Sequence, residues 1–414
     1  MKIDEYQTIT IKHKGEFDTK DQCMKLVNKL KGKTVKLTNL EKRDRTIKKP
    51  SPINTTDMLV LASKRLGLEP SETSRIAQYL YTMGFISYPR TESRVYSEGM
   101  QEDFEEIIEK LQIFEEFEEL CDTLLSQEEW GYDFKSSTSN EDHPPITPTY
   151  IRRDEVEISE QNFELYDLIV RSFFASLSTN ATYTETKATF NILDEEFTYR
   201  CSKIVDNGFM EYLDLDESTK MMYNFVEVEL SKEIDYTFYI QAQQVETAPP
   251  NYITEHELVR KMEENGIGTD GTIPKHIENV IFREYVSLER SKKDSLNVLK
   301  PTPLGVALAE GYRKIDPELI EPTVRQYIEQ CNYKVATYQK FKDDVISRVI
   351  SIAKQKLERF IELFDQEIVS RIKRFQKNPE EFAMPDIKQK QEEKLTEYDF
   401  DLETTREEYL YIIS

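Results

Sequence analysis

The sequence predicts a multidomain protein of the α+β class, and three observations support this fold class. Apolar residues recur at helical spacing in segments such as 160–177. From 182 to about 246 the pattern changes to short alternating strands. Over 254–299 a helix, a turn, a helix and a hairpin follow one another, which is the element order of a winged helix, a fold often used on DNA. The 414 residues suffice for about two to four domains.

The N-terminal part carries strand and helix signals in turn. Residues 6–12 and 34–40 alternate between apolar and polar side chains and predict strands, and 19–30 predicts a helix between them. Pro50 and Pro52 then interrupt the pattern, so we predict a domain boundary there.

Two helices and a strand are expected after that boundary. Residues 55–66 predict a helix that ends at Gly67, because glycine readily takes the left-handed conformation that ends helices. A second helix is expected over 71–84, and a strand over 85–88, which Pro89 keeps extended.

The net charge of −23 is unevenly distributed. Residues 102–129 carry twelve acids and one base, and 378–414 carry eleven acids and four bases. Residues 22–50 hold ten bases and two acids, so the total charge does not exclude a nucleic-acid partner. The bases of 42–49 fit a track for a nucleic-acid backbone and equally a solubilising linker. The spacing of apolar residues in 102–129 predicts one amphipathic helix with a solvated acidic face.

Several protein classes are not favoured. The longest apolar run, Met58–Ala62, is far shorter than a membrane helix, and the N-terminus has no apolar segment typical of a signal peptide. The four cysteines lie far apart without a CxxC pair, so they predict neither a zinc site nor a disulfide framework.

Helices return near Thr254. Thr254 and Glu257 have the spacing of a capping box, so a helix is expected to begin there and to end at Gly266. A second helix is expected over 272–282.

The predicted hairpin follows, with strands over 285–288 and 296–299, and long helices are expected over 320–376. The segment 266–287 repeats the glycine, helix and strand order of 67–87, and the two segments match in length within one residue. This similarity suggests two copies of one unit.

One of the 23 tyrosines has distinctive neighbours. In an extended strand, residues two apart share a face, so Tyr88, Arg90 and Glu92 would lie on one side. Tyrosine can act as a covalent nucleophile, and arginine can hold a phosphate through paired hydrogen bonds. The three residues therefore fit phosphoryl transfer to tyrosine, and they also fit an edge strand with a surface ion pair between Arg90 and Glu92.

Four motifs occur together between about residues 15 and 345. They are Gly84-Phe-Ile-Ser-Tyr-Pro-Arg-Thr-Glu92, Asp142-His-Pro-Pro-Ile-Thr-Pro148, Gly266-Ile-Gly-Thr-Asp270 and Lys314-Ile-Asp-Pro-Glu-Leu319. In residue content, order and spacing they resemble the type IA DNA topoisomerases, in the form of topoisomerase III, and their details are most similar to the eukaryotic beta type.

The resemblance implies roles for the catalytic residues. Tyr88 would attack a phosphodiester of single-stranded DNA and keep the 5′-phosphate as a phosphotyrosine. Arg90 would hold that phosphate, His143 would approach it from the neighbouring segment, and Glu92 would orient His143. In the family one strand is cut, another is passed through the break, and the first is resealed without ATP.

The resemblance also implies a groove for single-stranded DNA. Thr254, Gly266, Gly268 and Thr269 belong to the unit that helps to form this groove in the family, and glycines allow close approach of the backbone. Asp270 would repel a phosphate, so we interpret it as the cap of the following helix.

The family cleaves DNA with the help of a Toprim domain that binds Mg²⁺ and precedes the motifs found here. We find no counterpart of it in the sequence, so we expect no metal ligands and no DNA cleavage by this chain alone. Asp399-Phe-Asp401-Leu-Glu403 has the spacing of the family's acidic cluster, but it lies in an acidic tail without a preceding apolar strand. We interpret it as a coincidence of composition.

In terms of the family's domains, we predict type IA domains II, III and IV without Toprim. Residues 1–50 would be the first pass of a β-rich arch, domain II, and 181–250 its return pass. Residues 51–180 would be domain III with the catalytic tyrosine, 251–350 a winged-helix-like domain IV that binds DNA, and 351–414 C-terminal helices and an acidic tail.

Three functional hypotheses follow: a topoisomerase, a non-catalytic single-strand nucleic-acid-binding fragment, and one half of a split enzyme whose Toprim half is a separate chain. A tyrosine recombinase is not favoured, because no set of several arginines and histidines accompanies Tyr88. The resemblance implies single-stranded DNA as a partner, leaves RNA open, and suggests an OB-fold or Tudor-type partner protein. It implies a nuclear location, leaves the cytoplasm open, and implies no membrane partner.

Overall fold

The structure is a computed structural model that describes residues 9–15, 17, 19–127, 130–131, 143–149, 158–213, 240–243, 251–268, 271–291, 296–383 and 411–413. The chain divides into two compact units. One unit comprises 1–50, 178–250 and 387–414, and the other comprises 51–177 and 251–386. Within the described ranges, no helix is both long enough and apolar enough to cross a membrane.

The secondary structure is mixed, as predicted. The strands are β1 (Lys12–His13), β2 (Lys36–Ile47), β3 (Ala181–Ile192), β4 (Glu195–Asp206), β5 (Gln241–Gln243), β6 (Val286–Arg290), β7 (Asn297–Pro301) and β8 (Tyr411–Ile413). The helices are α1 (Lys20–Leu30), α2 (Thr55–Leu66), α3 (Pro70–Thr82), α4 (Gln101–Leu111), α5 (Glu115–Leu125), α6 (Glu160–Leu177), α7 (Glu255–Glu264), α8 (Ile273–Phe282), α9 (Pro303–Ile315), α10 (Thr323–Ala336), α11 (Lys342–Phe364) and α12 (Ser370–Lys377). A π-helical turn, Asp365–Val369, joins α11 to α12.

The first unit is built on an antiparallel sheet with the strand order β1-β4-β3-β2. Helix α1 begins after Thr19, whose side chain accepts a hydrogen bond from the Gln22 amide, and its Leu30 is buried with Phe190 and Phe197. The predicted helix over 19–30 is therefore confirmed. The sequence predicted short strands after 182, but β3 and β4 are twelve residues each, and 214–239 lies outside the described residues.

The basic run of residues 42–49 begins inside this sheet. β2 continues through Ile47, and its bases are exposed. Arg43 pairs with Glu41 at 3.0 Å, and Arg45 pairs with Glu185 on β3 at 3.3 Å. The interpretation of this run as a linker is therefore wrong up to Ile47, because cross-strand pairing holds these residues in the sheet.

The second unit begins with α2 and α3, which end as predicted. Gly67 and Gly84 both have positive φ, of 67° and 77°, a conformation that glycine adopts without steric cost. The long helix α6, predicted over 160–177, is confirmed with the same limits, and Tyr166, Phe173 and Phe174 lie in its buried side.

The acidic segment 102–129 forms two helices, so the prediction of one continuous helix is wrong. The chain breaks between Leu111 and Glu115, where Phe114 is buried and its amide donates to the Leu111 carbonyl at 3.1 Å. The apolar spacing continues across this break, which explains why the sequence pattern did not reveal it. The described acids from Asp103 to Asp122 are exposed, which confirms the predicted solvated face.

The helix pair α7 and α8 and the antiparallel hairpin β6–β7 follow in the order predicted for a winged helix. The capping box is confirmed: the Thr254 side chain accepts from the Glu257 amide, and the Glu257 carboxylate accepts from the Thr254 amide. The N-cap of α8 is Thr272, and Asp270, which we expected to cap this helix, lies outside the described residues.

The predicted repeat is visible in the hydrogen bonds of the two helix pairs. The Leu68 amide donates to Ala62, and the Ile267 amide donates to Met262, each just after a glycine with positive φ. At the ends of α3 and α8, the Phe85 and Tyr285 amides both donate to a carbonyl five residues earlier. The first pair of turns differs by one residue and the second pair matches, which supports the interpretation of 67–87 and 266–287, each with the helix before it, as two copies of one unit.

Candidate active site

Tyr88 lies in an irregular segment and not in the predicted strand. Among the described residues its strand-like pairing is limited to one isolated bridge, between Ile86 and Pro148. Pro89 has no amide hydrogen to donate, so a regular ladder cannot continue past Tyr88. Beyond this point burial still alternates, with Pro89, Thr91 and Ser93 buried and Arg90 and Glu92 exposed.

The Tyr88 segment is held on both sides by backbone hydrogen bonds. The Ser87 amide donates to the Thr147 carbonyl at 2.9 Å, and the Thr149 amide donates to the Phe85 carbonyl at 2.8 Å. On the other side the Thr55 hydroxyl, at the start of α2, donates to the Pro89 carbonyl at 2.7 Å. Tyr88 therefore sits on a backbone that several elements fix in place.

The structure brings Tyr88 and His143 together. Their ring centroids are 4.7 Å apart, and the His143 carbonyl accepts a hydrogen bond from the Thr91 hydroxyl at 2.9 Å. Tyr88 is half-buried and His143 is exposed, so both can be reached from solvent. The ring of Tyr81, on α3, meets the Tyr88 ring edge-on at 5.2 Å, a contact that sequence reasoning missed because α3 showed only a helical pattern.

Arg90 extends in another direction, towards Gly271. A Cβ placed on Gly271 would lie 3.7 Å from Arg90 Cδ, so the two residues are in close approach. Arg90 lines a cleft of about 200 Å³ together with residues of α2, α3 and α8, including Ser71 and Lys275. The cleft thus has two cationic side chains, with Glu278 paired to Lys275 at 2.8 Å.

Arg90 and Glu92 are both exposed, and the ion pair between them stays a prediction. The backbone carbonyl of Glu92 accepts from the Asn54 side chain at 3.3 Å. Asn54 also caps α2 by accepting from the Asp57 amide. The expected orientation of His143 by Glu92 stays a prediction.

The residues expected to line a DNA groove lie around the second copy of the unit. Thr254 is largely buried by its capping box. Gly266 and Gly268 have φ of 59° and 83°, and a Cβ on Gly268 would meet the Thr272 hydroxyl at 2.9 Å. Thr269 lies outside the described residues.

A buried carboxylic acid lies beside Thr254. Glu255 is the first residue of α7 and is fully buried; one of its oxygens accepts from Asn297 Nδ2 at 2.9 Å, and the other has no partner among the described residues. Burial raises the pKa of Glu255 from 4.5 to about 7; the Asn297 hydrogen bond opposes this shift and the charge of Glu69 adds to it.

We expect Glu255→Gln to stabilise the protein at alkaline pH. A carboxyl whose pKa is higher in the folded state than the unfolded value of 4.5 loses stability as pH rises through about 7, because the folded state must then hold a buried charge. The neutral amide removes this penalty, so urea unfolding should show a gain of about 1–3 kcal/mol at pH 8 and little gain at pH 5.

Glu264→Gln, an exposed acid on the same helix, is the matched control and should give no pH-dependent gain. An equal gain from Glu255→Gln at both pH values would show that its charge is not the cause.

The described ranges contain no group of three or more His, Cys, Asp or Glu side chains that could hold a metal ion. The Mg²⁺ that the family resemblance implies is therefore assigned no ligand among the described residues. Asp399, Asp401 and Glu403 lie outside the described residues.

Comparison with known proteins identifies the family. A family model described as DNA topoisomerase matches residues 2–347. DNA topoisomerase 3-beta of Drosophila melanogaster is 31% identical over 358 residues, covering 85% of this chain and 39% of that protein. The Arabidopsis thaliana 3-beta enzyme is 34% identical over 337 residues, covering 80% of this chain and 37% of that protein. The chain thus spans about two fifths of the length of these relatives.

A solved structure has the same fold. Full-length topoisomerase I from Thermotoga maritima superposes with a TM-score of 0.62 at 20% identity, over 86% of this chain and 56% of that one. The family match includes the Tyr88 segment, the His143 segment and the 251–290 unit in one alignment. The chain belongs to the type IA DNA topoisomerase family, with topoisomerase 3-beta among its relatives.

Proposed function

We propose that this chain carries the nucleophile and part of the DNA groove of a topoisomerase III-type enzyme. Such an enzyme cuts one DNA strand through a 5′-phosphotyrosine, passes another strand through the break and reseals the first. The observation that carries the proposal is the contact of the Tyr88 ring with the exposed His143 ring at 4.7 Å, on a backbone fixed by Thr55 and Thr147.

The cleavage step is a transesterification. The Tyr88 hydroxyl oxygen forms a bond to the phosphorus of one phosphodiester while the bond from that phosphorus to the 3′-oxygen breaks. The phenol loses its proton, and the departing 3′-oxygen takes one up. One phosphoester replaces another, so the reverse attack of the 3′-hydroxyl reseals the strand without ATP.

His143 and Arg90 offer the N–H groups that this chain brings near the reaction. His143 lies directly against the Tyr88 ring, so a phosphate beside the phenol oxygen lies within its reach. Arg90 is exposed in the cleft between α3 and α8, where its guanidinium can hold the same or an adjacent phosphate through paired hydrogen bonds.

The groove for single-stranded DNA would run along the second copy of the unit. Gly266 and Gly268 have positive φ and no side chains, so a phosphate could approach the backbone closely at these two positions. We place Thr254 and Thr269 with this groove on the basis of the family resemblance. Glu92 stays a supporting residue in the same proposal.

Other properties of the topoisomerase 3-beta relatives are proposed by homology alone. We propose single-stranded DNA as the substrate, with RNA as a second candidate, and a nuclear location. A partner protein of the OB-fold or Tudor type is also proposed. Mg²⁺ would be held by Toprim ligands outside the residues described here, so no step of the mechanism is assigned to it.

A relaxation assay tests whether these 414 residues suffice. We expect the purified chain alone to leave negatively supercoiled plasmid unchanged, because the described residues provide no acidic metal cluster and the family resemblance assigns the metal ligands to a Toprim domain. Addition of a separate polypeptide with a type IA Toprim domain, with Mg²⁺, should restore relaxation. Relaxation by the chain alone would overturn the requirement for Toprim in trans.

A binding measurement separates the proposed enzyme from a non-catalytic binding fragment. Both should bind a single-stranded oligonucleotide, with affinity that falls steeply as salt rises. Only the enzyme should form a covalent adduct with a 3′-end-labelled oligonucleotide when Toprim is supplied. Binding without any adduct under these conditions would favour the binding fragment.

A further inference from the structure

The two copies of the repeated unit pack against each other through matching helices. Helix α2 packs on α7, and α3 packs on α8. The apolar part of this contact is small: its buried core is Leu59 from the first copy with Val259, Met262, Ile273 and Ile277 from the second. We call this contact the joint. Tyr88 follows the first copy, and Gly271, which touches Arg90, belongs to the second.

A cluster of four charged side chains crosses the joint. Arg94 donates to both oxygens of Asp57, at 2.6 and 3.1 Å, and to Glu263 at 2.7 Å. Arg260 donates to Asp57 at 3.0 Å and to Glu263 at 3.1 Å. Two carboxylates thus alternate with two guanidiniums, and each guanidinium contacts both carboxylates. We call these residues the ion-pair cluster.

The ion-pair cluster connects directly to the Tyr88 segment. Arg94 lies six residues after Tyr88, and the backbone amide of Asp57 donates a hydrogen bond to the Asn54 side-chain oxygen at the N-terminus of α2. The Asn54 side chain in turn donates to the Glu92 carbonyl. A change in the ion-pair cluster therefore acts on the backbone that positions Tyr88, through two short connections.

The burial of the ion-pair cluster suits reversible opening. Its side chains keep between 16% and 38% of their surface exposed, so water can solvate them when they separate. Pairs of this kind are weakened by salt, unlike a buried apolar contact. A planar guanidinium binds carboxylates in a defined geometry. The same relative position of the two copies is therefore restored each time the joint closes.

We propose that the ion-pair cluster is a salt-sensitive latch that holds the two copies of the unit together and opens when the cut DNA ends separate. This inference rests on the proposed function, in which one end stays on Tyr88 while another strand passes. Opening the joint moves the Tyr88 segment away from Gly271 and the second copy. The stability of the ion-pair cluster then determines how often the joint opens after cleavage, and so how often another strand can pass through the break.

The latch can be measured without DNA. Spin labels on cysteines introduced at Arg75 and Phe282, which are exposed on α3 and α8, report the distance across the joint, and the four native cysteines are buried. In the otherwise unchanged chain, the population at long distance should rise as NaCl increases from low to high concentration. Glu263→Gln, which removes the negative charge that faces both arginines and one of the two acceptor oxygens, should raise this population at least about fivefold at low salt and flatten its salt dependence.

Two further variants make the outcome specific. Arg260→Gln, which weakens the contacts to Asp57 and Glu263, should raise the long-distance population in the same direction as Glu263→Gln. Arg171→Gln breaks a comparable arginine–carboxylate pair within α6, at 2.8 Å from Asp167, and should leave the distances unchanged. Circular dichroism checks that each variant remains folded.

Equal distance distributions for the parent chain and Glu263→Gln would overturn the proposed latch. An Arg171→Gln variant whose joint opens as much as that of Glu263→Gln would overturn it as well.

With Toprim supplied, Glu263→Gln should form the Tyr88 adduct on a short oligonucleotide at the parent level while its rate of plasmid relaxation changes at least about threefold. Unchanged relaxation in a variant with an altered joint would refute the role in strand passage. Absence of any adduct in the parent chain would count against the proposed function and leave the distance result standing.

Discussion

Tyr88→Phe is expected to abolish formation of the covalent DNA adduct, with a loss of at least about 10⁴-fold. Phenylalanine keeps the ring and its contact with His143 at 4.7 Å, and it removes only the oxygen that would bond to phosphorus. The measurement uses a 3′-end-labelled single-stranded oligonucleotide, since the fragment with the 5′-phosphate should stay on the protein. A Toprim polypeptide and Mg²⁺ are present throughout.

Tyr81→Phe is the matched control. The Tyr81 ring lies 5.2 Å from the Tyr88 ring, and the substitution deletes the same hydroxyl from a tyrosine in the same environment. It should retain adduct formation within about threefold, because Tyr81 belongs to α3 and lies outside the fixed Tyr88 segment. If Tyr88→Phe still formed the adduct, or if Tyr81→Phe lost it, the assignment of the nucleophile would be wrong.

The features that the sequence predicted well are set by short stretches of chain. The helix ends at Gly67, Gly84 and Gly266 require a positive φ, and the residue type itself signals that requirement. The capping box of Thr254 and Glu257 closes within four residues. Such signals do not depend on the rest of the fold, so a single sequence is enough to read them.

The features that the sequence did not predict depend on contacts between distant segments. The backbone around Tyr88 is irregular because the neighbouring segment, 143–149, pairs with it through one isolated β-bridge among the described residues, between Ile86 and Pro148. The approach of Arg90 to Gly271 depends on the packing of α3 against α8. The break at Phe114 was hidden because the apolar spacing continues through it. The motifs predicted that Tyr88 and His143 act on the same phosphate. The distance between their rings could be measured only in the folded chain.

Gly305→Ala should destabilise the protein by about 3 kcal/mol or more, which is opposite in sign to the usual effect in a helix. An alanine inside a helix is ordinarily favoured over glycine by roughly 1 kcal/mol. Here a Cβ on Gly305 would lie 2.0 Å from the carbonyl oxygen of Tyr285, far inside the contact distance of two heavy atoms. The first turn of α9 therefore requires a residue without a side chain.

The Tyr285 backbone cannot easily move away from the added Cβ, because hydrogen bonds hold both its carbonyl and its amide. Its carbonyl accepts from the Thr302 amide at 3.1 Å, and its own amide donates to the Val280 carbonyl at 3.0 Å. Urea unfolding should show the loss, and hydrogen exchange should accelerate first in α9 and β6. Gly99→Ala, where nothing lies within 4 Å, should leave stability unchanged. A stabilised Gly305→Ala variant would mean that α9 does not pack on Tyr285 in solution, and that the winged-helix arrangement of this unit is different from the one described here.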